Sequence, residues 1–104
     1  MKTGVDGGFE GGHMHDPYEE PHGKGGKFKG IVTVPPANYT AVVRELNRQG
    51  WRVATHSVGD AAVDQVLDAY AAADKDQSIK GKRWSIEHFF IARPEQLPRA
   101  RALD

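Results

Sequence analysis

The 104-residue chain has no cysteine, so it can form neither a disulfide framework nor a thiolate metal site, and a transition metal could be held only by imidazole and oxygen ligands. Net charge is also missing. Fourteen Lys and Arg balance fourteen Asp and Glu, without the basic stripe that a nucleic-acid partner would require. No stretch approaches the roughly 18 apolar residues of a membrane span, so no membrane partner is expected. Met1 to Asp6 lack the charged-then-apolar layout of a secretory signal, leaving the cytoplasm as the default compartment. At this length one domain is the upper bound.

What is present divides into two unlike parts. Residues 1–34 read as a short strand followed by a long glycine-rich loop: "GGFEGGHMHDPYEEPHGKGGKFKG" carries no period of two or of 3.6. Residues 35–104 read as αβαβα. After the proline pair at 35 and 36, Tyr39, Val42, Val43 and Leu46 follow the spacing of an amphipathic helix that stops at Gly50. Trp51 to Ser57 form a strand candidate, and a second helix begins at Asp60 with Val63, Val66, Leu67 and Tyr70 facing inward. "WSIEHFFI", from Trp84, is another strand candidate. A third helix follows, with Pro94 near its first turn and Pro98 bending its start.

Strands alternating with helices imply parallel strands joined by crossovers, and such folds place their chemistry at the C-terminal strand ends. His56 and His88 both fall there. A strand-end histidine serves either as a hydrogen-bonded structural residue or as a metal ligand, and rings on neighbouring strands about 5 Å apart could share one ion. Alternation puts Arg52, Ala54 and His56 on one side, and Trp84, Ile86 and His88 on one side. It turns Glu87 to the opposite face from His88, where an ion pair on the helix side is expected. Asp60 reads as a helix N-cap with a possible second role in steering His56. The pair His13 and His15 has ligand spacing, but the glycines before it and "DPYEEP" after it deny it a strand. "HGKGGKFKG" lacks the arrangement that wraps a phosphate and reads as flexible.

These residues resemble the metal-dependent amidohydrolases, in the branch of N-substituted formamide deformylase-like enzymes. The resemblance rests on "HSVGDAAVDQVLDAY" at 56–70, on "RWSIEHFFIARPEQLPRARAL" at 83–103 and on "KTGVDGGFEGG" at 2–12. It implies an internal segment, about strands four to six, of a (β/α)8 (TIM) barrel that hydrolyses amide-type, non-peptide carbon–nitrogen bonds in small molecules with one or two divalent ions, zinc by preference. It further implies that His56 and His88 are metal ligands, and that Lys2 is one if carbamylated, since an ammonium cannot coordinate. The family's strand-one His-x-His and the aspartate that activates water are expected outside these residues, so no catalytic residue is assigned within them.

A complete barrel needs about 250 residues. The chain is therefore expected to be a fragment, inactive alone, with exposed sheet edges and an apolar face including Trp84 and Ile86 that favour a homo-oligomer. A small non-catalytic α/β binding module is the alternative reading.

Overall fold

A computed structural model describes residues 1–7, 11–17, 29–89 and 91–103. Most of "HGKGGKFKG", and Phe90 of the strand candidate, lie outside the described residues. Three short strands, β1 (Lys2–Gly4), β2 (Ala54–Ser57) and β3 (Ser85–His88), form one parallel sheet in the order β1-β2-β3. Helices α1 (Pro36–Arg48), α2 (Asp60–Asp76) and α3 (Gln96–Leu103) alternate with them, α1 and α3 packing on α2 and α2 on β2. The parallel strands are those the alternation implied, and three strand–helix units make the α/β barrel segment that the resemblance implied.

The helices start and stop for local reasons. Pro36 opens α1, where its missing N–H leaves no bond unmade, and Gly50 ends it with a φ of 86°, a conformation that costs glycine little. The helix face differs from the expected one: Val42 is exposed, and the inner stripe is Tyr39, Val43 and Asn47, with Leu46 half-buried. Asn47 can be buried because its Nδ2 donates to the carbonyls of Ala73 and Gln77 at 2.9 and 2.7 Å, tying α1 to the end of α2. Val63, Val66, Leu67 and Tyr70 of α2 are all buried, as their spacing required. Pro94 lies ahead of α3 rather than in its first turn, while Pro98 falls at the third helical position, where a missing donor is tolerated.

Between sheet and helices lies a core of Val5, Val43, Val53, Val66, Ala69 and Ile79, with Trp84 and Ile86 packed against it. The expectation that Trp84 and Ile86 lie on an exposed apolar face is therefore corrected: they lie on the helix side. Ile86 is in register with Thr55, and Thr55 points at Tyr39 and Tyr70 on the helices. Four hydroxyls join in this layer: Thr55 Oγ1 lies 2.9 Å from Thr3 Oγ1, 2.5 Å from Tyr39 OH and 2.7 Å from Tyr70 OH. Tyr70 donates to the Ser85 carbonyl at 2.8 Å. Because that carbonyl can only accept, the direction of the chain follows: Thr55 donates to Tyr70 and accepts from Tyr39 and Thr3. All three strands and two helices meet in it.

The N-terminal end of α2 is closed by the loop after β1. The His13 carbonyl accepts from the backbone N–H of Ala61 and Ala62 at 3.0 and 3.1 Å. Gly59 permits this contact, since a Cβ there would collide with that same carbonyl. Gly59, not Asp60, is the N-cap residue of α2, and Asp60 opens the helix. The close fit of the loop, rather than a side-chain cap, satisfies these donors.

Candidate metal centre

His56 is the next-to-last residue of the central strand β2 and His88 the last of its neighbour β3, and their ring centroids lie 4.5 Å apart, edge to face. Alternation alone would not have brought them together. His56 is in register with Glu87, and His88 with Ser57, so a regular β3 would carry His88 to the helix side. His88 instead has a φ of 77° and Phe89 one of 55°, and this left-handed turn delivers the imidazole to His56. Such a conformation costs on the order of 1–3 kcal/mol at a non-glycine residue and concentrates at functional sites.

The same register corrects the reading of Glu87. It lies on the His56 side of the sheet, where Lys2 Nζ binds its Oε2 at 2.7 Å. The hydrogen bond from the Lys2 ammonium holds the Glu87 carboxyl below its usual range. Lys2, Glu87, His56 and His88 thus share one corner of the sheet, on the face away from the helices.

His56 is held from behind by a residue whose role the motif reading missed. Its Nε2 lies 2.9 Å from the Gly7 carbonyl oxygen and 3.6 Å from Asp6 Oδ1. The Asp6 side chain is wholly buried, with hydrogen bonds from the backbone N–H of Val58, Gly59 and His13. The sequence marks only its place, an aspartate just past a strand and immediately before a glycine, and not its partners.

Asp60 does not steer His56. Its carboxylate accepts from the His15 backbone N–H at 2.9 Å and pairs with the Arg93 guanidinium, and its carbonyl accepts from Gln96. Burial pushes its pKa up, but the His15 and Arg93 hydrogen bonds outweigh this and hold it below the ordinary value. Asp64 behaves alike: burial opposes ionisation, and His15, Gln96 and Arg99 overcome it. His13 and His15 do not form a strand, nor are they merely solvated. His15 Nε2 binds Asp64 Oδ2 at 2.6 Å, and burial lowers the pKa of the His13 ring against the pull of Asp6. These contacts fasten the loop to α2.

The donor set fits a divalent ion in part. Two imidazoles at adjoining strand ends suit zinc or a similar borderline ion. Lys2 does not fit as it stands, because it is an ion-paired ammonium. Among the described residues no cluster of three or more His, Asp or Glu side chains is able to hold a metal. Two imidazoles alone do not complete a ligand set.

A parallel sheet with paired imidazoles at its C-terminal edge and helices on the other face defines a segment of an α/β barrel. The chain belongs to the amidohydrolase family, which it matches over residues 1–104. It is similar to an uncharacterized metal-dependent hydrolase from Pyrococcus furiosus, with a TM-score of 0.77 and 30% identity over 99% of this chain and 20% of that one. A second such hydrolase, from Pyrococcus horikoshii OT3, gives a TM-score of 0.74 and 25% identity, again over 99% of this chain and 20% of the other. The chain therefore spans about a fifth of the length of these structures. Comparison with curated proteins gives no match. No helix among the described residues is long and apolar enough to cross a membrane.

Proposed function

We propose that this chain supplies strands four to six of an amidohydrolase barrel that cleaves amide-type, non-peptide carbon–nitrogen bonds, in the manner of the N-substituted formamide deformylase-like branch. In this reading His56 and His88 are two of the ligands of a divalent ion, zinc by ligand preference. The observation that supports it most is the 4.5 Å contact of the two rings, reached through a left-handed residue at the end of β3. A bound divalent ion supplies Lewis acidity, polarising a scissile carbonyl and lowering the pKa of water.

The chain's own residues prepare that corner. Glu87 neutralises the Lys2 ammonium, which would otherwise repel a cation beside it. Lys2 can join the ligand set only as a carbamate, and an anionic carbamate would face the Glu87 carboxylate, so that role requires the ion pair to open. The remaining ligands and the aspartate that activates water come from other strands, and the chain alone is inactive. The sheet edges at β1 and β3 favour self-association of the isolated chain, which sedimentation at rising concentration would reveal.

Zinc titration calorimetry on the chain tests the site. The parent binds zinc, and His56→Ala and His88→Ala each weaken binding at least about tenfold, the scale on which metal-site groups act. Affinity unchanged in both variants, or dependent on His13 and His15, refutes the reading. Turnover of an N-formyl amide by the chain alone would refute its inactivity, and a complete barrel preferring esters would refute the bond class.

A further inference from the structure

We propose that Asp6 is the positioning residue for His56: it holds the imidazole in the Nε2–H tautomer, so that Nδ1 is the nitrogen left to take a cation. This rests on the metal-site reading above. Asp6 lies just past β1, and its buried carboxylate binds the chain directly after His56, accepting from Val58 N at 3.0 Å through Oδ1 and from Gly59 N at 2.8 Å through Oδ2. The same Oδ2 accepts from His13 N at 2.9 Å. These bonds fix the ends of β1 and β2 against each other, and they set the Gly7 carbonyl 2.9 Å from His56 Nε2.

That carbonyl has no proton to give, so the hydrogen must sit on Nε2. Asp6 Oδ1, 3.6 Å from the same nitrogen, adds a negative field that favours a proton there. Charge points the same way. Among the described residues, the ion-pair contact of Asp6 is with His56, and neither a Lys nor an Arg side chain pairs with it. A buried carboxylate with backbone donors but no fixed cation is compensated by an N–H directed at it and by a cation held on the far side of that ring. The arrangement joins carbonyl and carboxylate to the imidazole at Nε2, so that a ligand bond would fall to Nδ1.

Long-range 1H–15N NMR of the histidine-labelled chain without metal reads the tautomer directly, with His56→Ala assigning the signal. The parent is expected as Nε2–H, and Asp6→Asn is expected to raise the Nδ1–H population and to weaken zinc binding about 10- to 100-fold. An Nδ1–H tautomer in the parent, or an Asp6→Asn variant with unchanged tautomer and zinc affinity, overturns the proposal. If Asp6→Asn does not fold, Asp6→Glu is read in its place: a raised Nδ1–H population with weakened zinc binding sustains the assignment, and an unchanged tautomer and affinity overturns it. Failure of the metal-site reading appears separately, as zinc binding indifferent to His56→Ala and His88→Ala.

Discussion

Replacing Thr55 by valine removes one hydroxyl and almost no volume, at the point where three strands and two helices are tied together. Thr55 Oγ1 takes part in three hydrogen bonds, with Thr3, Tyr39 and Tyr70, and the residue is 0% exposed. At about 1 kcal/mol net per bond the gross loss is about 3 kcal/mol. Two effects reduce it. Tyr39 can redirect its proton to Thr3 Oγ1, already 3.4 Å away, and Tyr70 keeps its donation to the Ser85 carbonyl. The added methyl also recovers up to about 0.8 kcal/mol. A net destabilisation of about 2 kcal/mol is therefore expected, a large share of the 5–15 kcal/mol or so typical of a domain. For about 100 residues this lowers Tm by about 8–16 °C. Urea denaturation of the parent, Thr55→Val, Tyr39→Phe and the double variant would measure both the loss and the coupling. A Thr55→Val chain within about 0.5 kcal/mol of the parent, or full additivity with Tyr39→Phe, would refute the directed hydroxyl chain.

The same two tyrosines set an alkaline limit. Burial raises the pKa of Tyr39 and of Tyr70, so the folded state keeps protons that an unfolded tyrosine loses near pH 10, and stability must fall as pH rises beyond about that value. Denaturation midpoints across this range would show the fall, with a shallower slope in Tyr70→Phe; parallel slopes would contradict it. On α1, Asn47→Ala is expected to cost about 2 kcal/mol by removing two donated hydrogen bonds at a buried position, whereas Val42→Ser, on the exposed side, should stay within about 0.5 kcal/mol. Equal effects in thermal melts would place the inner face of the helix elsewhere.

The architecture was legible because the helix periods and proline and glycine signals are local. Val63, Val66, Leu67 and Tyr70 occupy the buried positions that their spacing indicates. Asn47 was not legible, since its burial depends on carbonyls at the end of another helix. His56 and His88 could be recognised as strand-end residues, yet the faces of β3 were read one residue out of step. A period-two rule cannot anticipate two successive left-handed residues, and it therefore misplaced Trp84, Ile86 and Glu87 together. Asp6 escaped notice because its partners are backbone N–H groups, which no side-chain motif announces.

The Lys2–Glu87 bridge joins the first strand to the third across the second, passing between Ala54, the register partner of Lys2, and His56, the register partner of Glu87. The alanine methyl therefore sets the floor height beneath a charged crossbeam. A bulkier side chain at position 54 would lift or part the beam and alter the surroundings of the two imidazoles from a residue that is not one of them, which makes this small central residue a handle on that face.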